Sequence, residues 1–117
     1  MTRAGRLPRI ARLMARAIRF DQLLRIRTVK GYADLAHLGR VSRARITQIM
    51  NLLNLAPDIQ ESLLFLEPVR SWRDALHERA LREVVEEISW ERQRKIFAGL
   101  LSRHSGVERK SAAESER

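Results

Sequence analysis

Arg43, Ala44, Arg45, Thr47 and Gln48 fall within six consecutive positions of a 117-residue chain. Their side chains are of the kinds that read base-pair edges in the major groove of duplex DNA. Arginine forks onto guanine O6 and N7, glutamine pairs with adenine, and an alanine or threonine methyl packs on the thymine methyl. Ser42 stands just before them as a helix N-cap, and a helix start of this kind also holds a phosphate. A second set lies upstream. Arg9, Arg12, Arg16 and Arg19 are spaced three, four and three apart, which aligns them in one ridge along a helix. Like charges in a row repel one another, so a polyanion is their natural partner. Arg40 and Asn51, on either side of the reading run, complete the expected phosphate contacts with Ser42 and the ridge.

The charge of the whole chain is +9, but it is not evenly spread. Residues 1–54 hold twelve Arg and Lys against Asp21 and Asp34 alone, whereas residues 55–117 hold eleven basic and twelve acidic residues. Twenty of the 23 basic residues are arginine, whose planar fork suits phosphate and guanine. A GC-rich genome explains arginine over lysine, yet it does not explain why acids are missing from one half. Two other readings of the ridge stay open: a solvated helix face, and a transit peptide, which is likewise Arg-rich and acid-poor. Transit peptides are also serine-rich, and no serine precedes Ser42.

The elements that would carry these side chains are all helical. Pro8 opens a first helix running to Leu24, with Ile10, Leu13, Met14, Ala17, Ile18 and Leu24 inward and Phe20 close beside that stripe. Lys30-Gly31 breaks it. A short second helix spans Tyr32 to Leu38, and Gly39 is expected to close it in the left-handed conformation, absorbing the tight geometry beside Arg40. Ser42 to Asn51 forms the third helix, with Ile46, Ile49, Met50 and Leu53 on its apolar side and Asn54 closing it. Ala36 is the small residue that two steeply crossed helices need at their contact, and Val41 plugs the turn. Pro57 starts a fourth helix that buries Ile59, Leu63, Leu64 and Leu66 and ends at Pro68. Val69 to Ala75 reads as a loop. A fifth helix from about His77 turns Leu81, Val84, Val85 and Ile88 inward. Ser89 caps a sixth, lined by Trp90, Phe97, Leu100 and Leu101. The expected organisation is a helix-turn-helix domain over 1–66, a helical region over 67–102 that dimerises the protein, and a disordered tail over 103–117.

Tyr32 to Leu66, with Ser-Arg-Ala-Arg-Ile-Thr-Gln-Ile-Met-Asn-Leu-Leu and Leu-Ala-Pro-Asp-Ile-Gln-Glu, resembles the helix-turn-helix domain of the ParB/KorB-like family. The lead helix and Trp90-Glu91-Arg92-Gln93-Arg94 are similar to stand-alone members associated with bacterial mobile elements. The resemblance implies a DNA-reading role for Arg43, Ala44, Arg45, Thr47 and Gln48. Family members that partition DNA carry an Arg-rich nucleotide-binding domain ahead of the helix-turn-helix. Seven residues precede the expected first helix here, so the nucleotide switch and sliding on DNA are not expected.

Other classes fare poorly on the residues. No cysteine is present, which removes disulfides and thiolate chemistry. His37, His77 and His104 lie far apart without an acid or nucleophile constellation, so no catalytic residue, metal site, cofactor or small-molecule ligand is expected. No apolar run approaches the roughly 20 residues of a membrane span. RNA binding would call for exposed aromatics that stack bases. Glu83, Glu86 and Glu87 read as a solvated face or a partner surface, and Trp72 and Trp90 as packing residues. The expectation is an all-α, sequence-specific double-stranded DNA-binding homodimer in the cytoplasm, associated with the nucleoid: a transcriptional regulator of a bacterial or mobile-element locus. A partition or recombination accessory, or an adaptor that docks its basic half on an acidic protein, are the alternatives.

Overall fold

The computed structural model describes residues 7–66 and 76–102. Pro68, the loop from Val69 to Ala75 with Trp72, and the tail from Arg103 with His104 lie outside the described residues. Within them the protein is all-α. Helices α1 (Arg9–Arg25), α2 (Tyr32–Gly39), α3 (Arg43–Met50), α4 (Pro57–Leu64) and α5 (Glu78–Glu86) follow in order, with a 3-10 turn (Asn51–Asn54) between α3 and α4. Residues 90–102 form a further helix, α6.

Local chemistry starts most of the helices. Pro8 precedes α1, and its carbonyl accepts from the Ala11 and Arg12 amides. Asp34 in the first turn of α2 reaches back to the Lys30 amide (2.9 Å), occupying a donor that the helix start leaves outside its ladder. Ser42 Oγ accepts from the Arg45 amide (3.0 Å), Pro57 takes the first position of α4, and Ser89 Oγ accepts from the Arg92 amide (3.3 Å).

α1 is the spine against which α3, α4 and the 3-10 turn pack, and α2 packs against α3. Ile10, Met14, Ala17, Phe20 and Leu23 are its buried stripe. Phe20 is thus part of the core rather than beside it, and the stripe is turned toward Leu23, leaving Leu24 half-buried. Leu35 and Ala36 from α2 meet Ile46, Ile49 and Met50 from α3, and Val41 lies half-buried between the two helices in sequence. The same cluster continues through Ile59 and Leu63 of α4 to Leu81 and Val84 of α5 and Phe97 of α6. One core therefore joins the two halves of the chain.

Several expectations are corrected. Gly39 stays helical, and Arg40 takes the left-handed conformation instead (φ 55°, ψ 43°). A Cβ at Gly39 would meet Phe20 at 3.5 Å and Val41 at 3.7 Å, ordinary van der Waals contacts. α3 passes into its 3-10 turn after Met50 rather than running on, and Leu52 is buried there while Leu53, expected inward, is half-buried. α4 ends at Leu64 with Phe65 as its C-cap, before Pro68, and Leu66 lies beyond the helix. Ile88, expected inward, is 94% exposed, since α5 ends at Glu86 and the chain extends at Glu87. Trp90 is 49% exposed rather than packed.

Gln93 has no counterpart among the expectations. It is 1% exposed. Its Oε1 accepts from the Ala56 amide (2.8 Å), and its Nε2 donates to the carbonyls of Asn54 (3.1 Å) and Glu87 (2.8 Å). One amide thereby ties the start of α4 to the α5–α6 junction. Beside it, Arg94 Nε and Nη2 grip both carboxylate oxygens of Asp58 at 2.9–3.1 Å, and those bonds hold the Asp58 carboxyl below its ordinary range.

Candidate nucleic-acid interface

Burial of Ile46, Ile49 and Met50 fixes which way α3 faces. With those three inward, Arg43, Ala44, Thr47 and Gln48 are left exposed together on the opposite side, as 3.6 residues per turn requires. The Arg43 side chain is exposed and makes no hydrogen bond or ion pair among the described residues. Thr47 Oγ1 donates to the Arg43 carbonyl (3.2 Å), which engages the hydroxyl proton and leaves the methyl outward.

Arg45 differs from the rest of the run. It is half-buried, and Glu78 at the start of α5 receives its Nη1 at 2.6 Å and Nη2 at 2.9 Å. Nη1 also donates to Gln48 Oε1 (3.1 Å). Three of its five N–H donors are therefore engaged inside the protein, and the Glu78 hydrogen bonds push its pKa still higher. Expected at a base edge, Arg45 instead works as a strut between α3 and α5. The partner was unreadable because Glu78 lies 33 positions away in sequence.

The phosphate-contact candidates fall around this face. Arg9, Arg12, Arg16 and Arg19 are all exposed on α1. The first three meet Arg45 and the His77–Arg79 start of α5 around a cleft of about 440 Å³; the one acid lining it among the described residues, Glu78, is already paired with Arg45. The positive end of α5 adds to the arginines there. Arg19 stands outside the cleft. Arg40 is exposed at the end of α2, and Ser42 is exposed with its Oγ at the α3 start. Asn51 lies on the other flank, bordering a hollow shared with Gln48, Arg82 and Glu86. That flank is mixed in sign, whereas the α1 flank is cationic. Of the acidic trio, Glu83 and Glu86 are exposed, and Glu87 is half-buried with Arg92 3.9 Å away.

The arrangement offers donors, a methyl surface and concentrated positive charge, which is the chemistry for gripping a polyanion and touching base edges. Among the described residues, no helix is long and apolar enough to cross a membrane. No family model, curated protein or solved structure matches the chain.

Proposed function

We propose that the protein binds double-stranded DNA sequence-specifically, with the outward face of α3 in the major groove. The observation that carries this reading is the company kept by that face. Arg43, Ala44, Thr47 and Gln48 are exposed together on a capped helix, next to a cleft in which arginines from α1 converge. A solvated helix needs no second helix to supply arginines beside it. A duplex does, because its backbone flanks the groove on both sides. In this reading Arg43 and Gln48 meet base edges, Ala44 and Thr47 offer methyl contacts, and Arg9, Arg12, Arg16, Arg19, Arg40 and Ser42 hold phosphates.

The proposed role is that of a transcriptional regulator acting in the cytoplasm on a bacterial or mobile-element locus, in line with the likeness of Tyr32 to Leu66 to ParB/KorB-like domains. One recognition helix covers only about half a turn of duplex, so the reading includes two copies on paired half-sites. Phe97, one of the apolar side chains expected at the dimer contact, belongs to the monomer core. Ile88 and Trp90, exposed at the α5–α6 junction, remain for it.

Band shifts with genomic duplex fragments, competed by RNA and by heparin, test the reading. A subset of duplexes should stay bound under heparin. Arg12→Ala, Arg16→Ala and Arg19→Ala should each weaken all duplexes alike and flatten the log–log salt dependence by about one unit. Binding of every duplex and RNA alike, with unchanged salt slopes, overturns it.

A further inference from the structure

Gln48 is the side chain on the α3 face whose amide could be read in two orientations. Its Oε1 accepts and its Nε2 donates, and a free amide can offer both to adenine. Here the choice is made internally. Arg45 Nη1 donates to Gln48 Oε1 (3.1 Å), and a guanidinium has no acceptor, so the oxygen must face Arg45 and the NH2 must face away. Arg45 is itself held by a two-point contact with Glu78. Glu78 is the first residue of α5, and α5 is seated by Leu81 and Val84 in the core. Orientation thus passes from the core through Glu78 and Arg45 to an exposed amide.

We infer that Glu78, acting through Arg45, is a specificity-determining positioning residue that makes Gln48 present its NH2 group to the DNA. The inference rests on the DNA-binding reading above. An outward NH2 favours base edges rich in acceptors. Guanine offers O6 and N7, whereas adenine offers N7 beside a competing N6 donor. The base facing Gln48 is therefore guanine in preference to adenine, the reverse of what glutamine alone suggests. Without Glu78, Arg45 swings away, the amide rotates, and the two-point adenine contact becomes available.

The test is selection of bound duplexes from a random pool by the full chain and by Gln48→Ala, Glu78→Ala and Arg45→Met. Gln48→Ala identifies the position that Gln48 faces. The native protein should prefer guanine there, and Glu78→Ala and Arg45→Met should move the guanine-to-adenine ratio toward adenine on the order of tenfold, leaving the other positions as they were. A merely structural Glu78 would lower affinity across all sequences without changing the base at that position. Arg45→Met removes the donor, leaves Glu78 in place and gives the same readout should Glu78→Ala fail to fold. The inference is overturned if the native protein prefers adenine there, or if both variants keep its base. A native protein that selects no motif refutes the DNA-binding reading itself, a distinct result.

Discussion

Gln48 and Gln93 are the same side chain in opposite circumstances. Gln93 is buried, and both ends of its amide are engaged with backbone groups of two junctions. Gln48 is exposed, and only its oxygen is engaged, by a side chain that steers it. A buried amide is tolerated when its polar atoms are satisfied, so Gln93 serves the fold and has nothing left to offer a ligand. Gln48 keeps its NH2 group outward in a protein that has oriented it. The polar residues worth suspecting of recognition are those positioned by the fold yet left with hydrogen-bonding capacity.

Substitution separates the two most sharply. Gln93→Leu should lower stability by about 2–4 kcal/mol in denaturant unfolding, because the Ala56 amide and the Asn54 and Glu87 carbonyls lose their partner. Gln48→Leu should stay within about 0.5 kcal/mol in the same experiment. Equal losses would erase the distinction. On the DNA side the order reverses: Arg43→Ala should cost about 1–3 kcal/mol on the preferred duplex and much less on random duplex. Titrations on both duplexes check it.

A smaller effect sharpens the comparison at Arg40, which sits between scaffold and surface. Its left-handed backbone is strained for any residue but glycine. Arg40→Gly should raise the unfolding free energy by about 0.5–1 kcal/mol, the relief of strain less the greater freedom of glycine in the unfolded chain. The same change should weaken duplex binding and reduce its salt dependence. Improved stability with unchanged binding would place Arg40 with neither group. The smallest effect belongs to Asp58, whose folded pKa is lowered chiefly by its hydrogen bonds from Arg94. A lowered carboxylate pKa contributes stability above the unfolded value of about 3.9, and that contribution is lost as pH falls through the folded value. The stability gap between the native protein and Asp58→Asn should therefore close on acidification below about pH 4, as followed by thermal unfolding across a pH series.

The parts of this structure legible in the sequence are those set by neighbouring residues. Pro8, Ser42, Pro57 and Ser89 announce helix starts because capping acts within one turn, and the inward set of α3 follows from spacing alone. The exposed Arg43, Ala44, Thr47 and Gln48 follow from that set. What depends on distant chain does not announce itself. Arg45 has the same composition signal as Arg43, and only Glu78 on α5 distinguishes them. Gln93 sits in the run Glu91-Arg92-Gln93-Arg94-Lys95, where polar neighbours suggest a solvated helix face. The helix end at Gly39-Arg40 misled for another reason. Glycine is the usual left-handed residue, but α2 runs through Gly39, so the left-handed position falls one residue later, on Arg40.

The clasp around Gln93 also has a consequence in time. Ala56 and Asn54 await a partner 37 and 39 positions further along the chain. At translation rates of about 5–20 residues per second, roughly 2–8 seconds separate the synthesis of the two sides. During that interval the nascent helix pair has its sequence and its caps but not its closing hydrogen bonds. The start of α4 and the α5–α6 junction are therefore joined only once Gln93 has been made. A ribosome-bound fragment that stops before Gln93 leaves the Ala56 amide and the Asn54 carbonyl without that partner.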